Sequence, residues 1–181
     1  MMSTESELQF YQNHEFQVVT LPYENPQNVM CIIIPRERFG LQTLLQNMAS
    51  EKLSQLLFIK KDNAKVNIEL LRFKIKSSFE LVSLLKKLGI VDAFGNDADF
   101  SGIFENNGIN ISDVLHKAFI ETNEEGSEAS AATATNFSLS AMPPSKTETI
   151  TVIADHPFFY AILDVYHQTI LFMGTFYNEF H

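Results

Sequence analysis

The side chains that could perform chemistry are few and scattered. The 181 residues hold five histidines (His14, His116, His156, His167, His181) and one cysteine, Cys31. No Cys/His spacing suits a zinc ion, so no metal is expected. Cys31 lies inside the apolar run Val-Met-Cys-Ile-Ile-Ile and reads as a small core residue rather than a nucleophile. With a single cysteine, no internal disulfide can form. No GxSxG serine, phosphate loop or dinucleotide fingerprint occurs, so no cofactor is expected either. Without a triad or a carboxylate pair, the chain does not read as an enzyme. What stands out instead is a change of composition. Residues 124–135 read Glu-Glu-Gly-Ser-Glu-Ala-Ser-Ala-Ala-Thr-Ala-Thr, with no large apolar side chain. Mildly apolar residues 137–142 follow, then Pro143-Pro144. Taken alone, this stretch has the composition of an exposed linker.

Composition bounds the rest. Hydrophobic residues make up 45% of the chain, enough for a core, and no apolar run approaches the ~20 residues that span a bilayer. The net charge is −9, which offers nucleic acid or anionic lipid no attractive field. Lys60 with Lys61, and Lys86 with Lys87, read as solvated edges. Residues 1–9 are polar and acidic and lack the basic and apolar regions of a secretory leader. As it stands the chain reads as cytoplasmic; a leader in a longer form would make it extracellular. Two sequons occur, Asn110-Ile-Ser and Asn136-Phe-Ser.

The elements that must position the exposed stretch can be read from spacing. Residues 16–21 and 29–34 are β-prone and apolar at nearly every position, separated by a seven-residue spacer rich in Pro and Asn. They predict a hairpin covered on both faces. Residues 41–60 show helical spacing, with Ser50 able to start a second helix. Residues 65–71 and 72–76 alternate as strands. Residues 78–88 predict a helix with Ser78 as N-cap and Gly89 just past its end. A long strand is predicted over 109–121, and strands over 149–153, 158–165 and 169–177.

Several blocks resemble the serpins, a family of suicide inhibitors of proteases. Residues 111–134, Ile-Ser-Asp-Val-Leu-His-Lys-Ala-Phe-Ile-Glu-Thr-Asn-Glu-Glu-Gly-Ser-Glu-Ala-Ser-Ala-Ala-Thr-Ala, resemble the passage from a central strand into the reactive loop. Residues 152–162, Val-Ile-Ala-Asp-His-Pro-Phe-Phe-Tyr-Ala-Ile, resemble the family signature around its Pro-Phe, and 170–176 resemble the closing strand. Leu-Gly-Ile-Val-Asp-Ala-Phe (88–94), Ala-Asp-Phe-Ser-Gly-Ile (98–103), Phe-Gln-Val-Val-Thr-Leu-Pro-Tyr (16–23) and Met1-Met2 match further blocks, in order.

The resemblance implies an α+β, serpin-like mixed multi-sheet fold, with residues 1–181 forming the C-terminal portion of one serpin domain. It implies a reactive loop at about 125–148 and a target serine protease, elastase-like or chymotrypsin-like, with a cysteine protease as a further target class. The protease forms an acyl-enzyme on the loop, and the cut loop then inserts into a sheet and distorts the enzyme. The hinge is implied at Gly126, Ser127, Glu128, Ala129, Ser130, Ala131, Ala132 and Thr133; the side chains are small and suit insertion between packed strands, except that of Glu128, which is charged and matches a family position that faces outward. The reactive bond is implied at Ser140–Ala141, with Leu139 and Met142 as alternative cleavage positions. His116 matches a histidine under the sheet where strands part; a satisfied core histidine is the plainer reading. Glu124 and Arg72 match an acid and a base on neighbouring strands, and an ion pair between them is expected.

One departure matters. Counterparts of only two strands of the family's main sheet are legible, at roughly 72–77 and 109–121. The chain is therefore expected to be truncated, lacking the N-terminal helices and most of that sheet. On this reading it cannot complete loop insertion alone. A non-inhibitory binding protein or decoy substrate is the alternative.

Overall fold

The computed structural model describes residues 1–48, 50–103, 109–122 and 148–177. Among the described residues nine strands, β1 (Met2–Gln12), β2 (Phe16–Pro22), β3 (Asn28–Pro35), β4 (Asp62–Leu70), β5 (Phe73–Glu80), β6 (Leu115–Thr122), β7 (Ile150–Ala154), β8 (Phe158–Asp164) and β9 (Thr169–Phe176), form two sheets. The larger has seven strands in the order β7-β4-β1-β2-β3-β8-β9, and the smaller pairs β5 with β6. The chain divides into two compact units, Met1–Phe73 with Thr122–His181, and Lys74–Glu121.

At the centre of the first unit lies the expected hairpin, β2 (Phe16–Pro22) and β3 (Asn28–Pro35). It is paired from Phe16↔Pro35 to Pro22↔Val29. The connection is closed by Asn25, whose carboxamide oxygen accepts the Gln27 amide at 3.1 Å. Every residue of β3 after Asn28 is buried. Its other neighbour is β8 (Phe158–Asp164), which pairs antiparallel from Asn28↔Asp164 to Ile33↔Phe159.

Side chains alternate across these strands, so each face needs its own cover. One face carries Phe16, Val18, Cys31, Ile33, Phe159, Ala161 and Leu163, packed under Leu41 of α1 (Leu41–Asn47) and Leu57 of α2 (Ser50–Phe58). Cys31 is wholly buried here, and burial pushes its thiol up to about 11, against smaller opposing effects of Lys61 and Thr20. The structure thus agrees with an inert core cysteine. On the other face Phe158 stacks on Phe176 at 5.0 Å, and Phe73 meets Phe158, Tyr160 and Phe176 at 5.4–5.6 Å. Ring pairs of this kind add ~0.5–1.5 kcal/mol beyond their burial. Tyr160 lies flat across Gly174 of β9 (Thr169–Phe176), its cross-strand partner. Burial raises the Tyr160 phenol above its ordinary range.

Two expectations change in this unit. Residues 1–9, read as a polar start, belong to β1 (Met2–Gln12), which pairs with β4 (Asp62–Leu70) from Met2↔Leu70 to Phe10↔Asp62. Its inward positions include Thr4 and Ser6, and Glu5 and Glu7 face outward, so the alternation of Met2, Leu8 and Phe10 is diluted. Lys61, read as a solvated edge, is 94% buried (6% exposed). Its ammonium donates to the carbonyls of Leu57 at 3.0 Å and Ile59 at 3.4 Å, where the C-terminus of α2 favours a cation. Lys60 is exposed, as expected.

In the second unit, β5 (Phe73–Glu80) runs past Ser78, so Ser78 caps nothing. The helix α3 is short, Val82–Lys87. Pairing with β6 overrides the cap signal: the Leu81 amide donates to the Val114 carbonyl at 2.8 Å, at the far end of that ladder. Gly89 does end the helix. With φ +92 it closes a double turn in which the Ile90 amide donates to the Leu85 carbonyl and the Gly89 amide to the Lys86 carbonyl. The long strand predicted over 109–121 is shorter, β6 (Leu115–Thr122).

Where β3 leaves the sheet, Arg38 Nη1 meets Asp155 Oδ2 at 2.8 Å. Asp155 Oδ1 lies 2.9 Å from His156 Nδ1, and His156 Nε2 lies 2.9 Å from the Pro35 carbonyl. This network ties the entry of β8 to the end of β3. The hydrogen bond from His156, and then Arg38, hold the Asp155 carboxyl below the ordinary carboxylate range.

Two predictions follow from this packing. An Ala Cβ at Gly174 would lie 2.6 Å from the Tyr160 hydroxyl, so Gly174→Ala should destabilise by ~1–3 kcal/mol in urea unfolding. Gly102→Ala, where a Cβ meets nothing within 4 Å, should change little. For Asp155 the folded pKa is depressed, so its contribution is complete above the unfolded value of ~3.9 and disappears as pH falls through the folded value. The urea midpoint of Asp155→Asn should lie below that of the unaltered chain at pH 7, and the gap should close below about pH 4. A gap that persists unchanged into acid would contradict this.

Candidate functional site

The loop implied at residues 125–148 is bracketed by two strands, β6 on the entry side and β7 (Ile150–Ala154) on the exit side. Glu124, the hinge residues Gly126 to Thr133, and Leu139, Ser140, Ala141 and Met142 lie outside the described residues.

The entry is held by polar contacts. Thr122 Oγ1 accepts the Phe73 amide at 3.2 Å and donates to the Phe73 carbonyl at 3.4 Å. One residue further in, Lys74 Nζ reaches Glu121 Oε2 at 3.0 Å and sits 5.1 Å from the centre of the Phe119 ring. Both charges of the pair are about half exposed, so it is worth at most ~1 kcal/mol. No residue of β6 is buried.

The exit is held by the core. β7 runs parallel to β4, from Val66↔Ile150 to Leu70↔Ala154. Val152 and Ala154 are fully buried, and full burial of a Val-sized side chain stabilises by ~1.5–3 kcal/mol. A parallel pair needs a long crossover, and the chain between β4 and β7 supplies it.

His116 is exposed on β6 and its imidazole makes no hydrogen bond to another described residue, so it is not a satisfied core histidine. Arg72 is exposed in the short link between β4 and β5, and its expected partner Glu124 lies outside the described residues. No contact among the described residues joins one histidine to another. His156 has both ring nitrogens engaged, and His167 Nδ1 is 2.8 Å from Asp164 Oδ2 in the β8–β9 turn. That Asp164 carboxyl is held low, mainly by the His167 backbone amide. Among the described residues no group of three or more His, Cys, Asp or Glu could hold a metal ion. The Arg38–Asp155–His156 network was not anticipated; its only sequence signal is the Asp-His-Pro within the block at 152–162.

The described geometry is thus a weakly held strand, β6, before residues 123–147 and a firmly held strand, β7, after them. Among the described residues, the entry strand has one sheet neighbour, β5. The family model described as Serpin (serine protease inhibitor) matches residues 1–179. Human serpin B3 is 37% identical over 161 residues, covering 88% of this chain and 40% of that protein. The leukocyte elastase inhibitor of Sus scrofa is 39% identical over 165 residues, covering 87% of this chain and 42% of that protein. Among solved structures, uncleaved ovalbumin superposes with a TM-score of 0.76 at 25% identity, over 96% of this chain and 43% of ovalbumin. The chain therefore spans about two fifths of the length of these relatives. Sequence blocks, strand order and family match agree that the chain belongs to the serpin family.

Proposed function

We propose that this chain carries the protease-facing part of an inhibitor of serine endopeptidases, with residues 125–148 as the bait loop and Ser140–Ala141 as the bond attacked. The observation that carries this reading is the bracketing of that segment by β6 and β7 in a serpin-family fold. The relative named as a leukocyte elastase inhibitor supports an elastase-like target, and the small Ser140 suits an elastase-like pocket. Leu139 and Met142 would suit a chymotrypsin-like enzyme or a cysteine protease instead.

The same fold supports a second reading for the chain on its own. Trapping needs a sheet that accepts the cut loop as a new strand between two others. The described small sheet has two strands, β5 and β6, already paired with each other. Without a further strand beside them, the acyl-enzyme is free to hydrolyse, and the chain behaves as a decoy substrate.

The test is to incubate the purified chain with an elastase and with a chymotrypsin, then analyse by denaturing gel and mass spectrometry. The elastase should yield a fragment beginning at Ala141 and no SDS-stable adduct. Cleavage outside residues 125–148, or none, would refute the bait loop. An SDS-stable adduct would refute the decoy reading while leaving the loop assignment in place.

A further inference from the structure

We infer that Asn110 is an acceptor site for an N-linked glycan in a form of the chain that enters the secretory pathway. The tripeptide Asn110-Ile111-Ser112 has the acceptor pattern, with Ile rather than Pro in the middle. It lies in irregular backbone between the turn that ends near Ile103 and the start of β6 at Leu115. Residues 109–113 are all exposed. The Ile111 amide is fixed to the Ala93 carbonyl at 3.0 Å, so the tripeptide is anchored through its middle residue. The Asn110 carboxamide and the Ser112 hydroxyl make no hydrogen bond to another described residue. Among the described residues, no hydrogen bond therefore has to break to modify either group.

In the transfer, Asn110 Nδ2 bonds to the anomeric carbon of an oligosaccharide carried on a polyprenyl diphosphate. The carbon–oxygen bond to the diphosphate breaks, the carboxamide gives one proton to the transferase's base, and polyprenyl diphosphate leaves. Nothing is oxidised or reduced. Ser112 serves the reaction through its hydroxyl, so a threonine can replace it and an alanine cannot. A glycan here also covers its exposed apolar neighbours Ile109 and Ile111, 40% and 36% exposed.

The experiment places the full chain behind a cleavable secretory leader in a eukaryotic host. Only leader-cleaved chain, which has crossed the membrane, is analysed. The second sequon is removed by Asn136→Gln. Expected is a mass increment on the peptide containing Asn110, released by an endoglycosidase, lost in Asn110→Gln and Ser112→Ala, and retained in Ser112→Thr. Leader-cleaved chain with Asn110 unmodified would overturn the site, as would an increment that survives Ser112→Ala.

Discussion

β3 is paired on both edges, with β2 and β8, and its side chains are buried on both faces. Such a strand is stable only between two covering layers. One layer is supplied by α1 and α2 through Leu41 and Leu57, the other by the aromatic group of Phe73, Phe158, Tyr160 and Phe176. The rest of the seven-stranded sheet follows from that requirement. β8 must bring Phe158 and Phe159 to opposite faces, which the Asp155–His156 corner arranges by tying its entry to the Pro35 carbonyl. β9 must pass Tyr160 with a glycine, because only Gly174 leaves room for the ring.

The unit formed by Lys74–Glu121 is built differently. None of its described residues is buried, and Leu84, Leu88, Ile103, Leu115 and Phe119 are each more than half exposed. Its order rests on the β5–β6 ladder, the double turn at Gly89 and half-exposed ion contacts. Elements with few buried apolar contacts open at lower free-energy cost than a core strand. β6, before residues 123–147, is therefore less firmly held than β7, after them.

Much of the seven-stranded sheet was legible because burial on both faces writes itself as unbroken apolar runs, as in residues 29–34. β1 was not, because Thr4 and Ser6 occupy half-buried inward positions and the outward glutamates make the segment look like a charged start. Lys61 was misjudged because charge dominates any reading of lysine, whereas in the fold its ammonium finds two carbonyls at a helix end. Ser78 looks like a cap, yet cross-strand pairing decides where β5 stops. The loop at about 125–148 is implied only through resemblance, and nearly all of it lies outside the described residues. Its small residues carry no periodicity, so nothing in their spacing separates a bait loop from a linker.

The central claim is that a two-sided core holds the large sheet while the strand entering the loop has no such support. Hydrogen exchange on the full chain, resolved by peptide, tests it directly. The account predicts that amides of β3 and β8 exchange only through global unfolding, and that amides of β5 and β6 exchange orders of magnitude faster. Equal protection of β6 and β3 would contradict it.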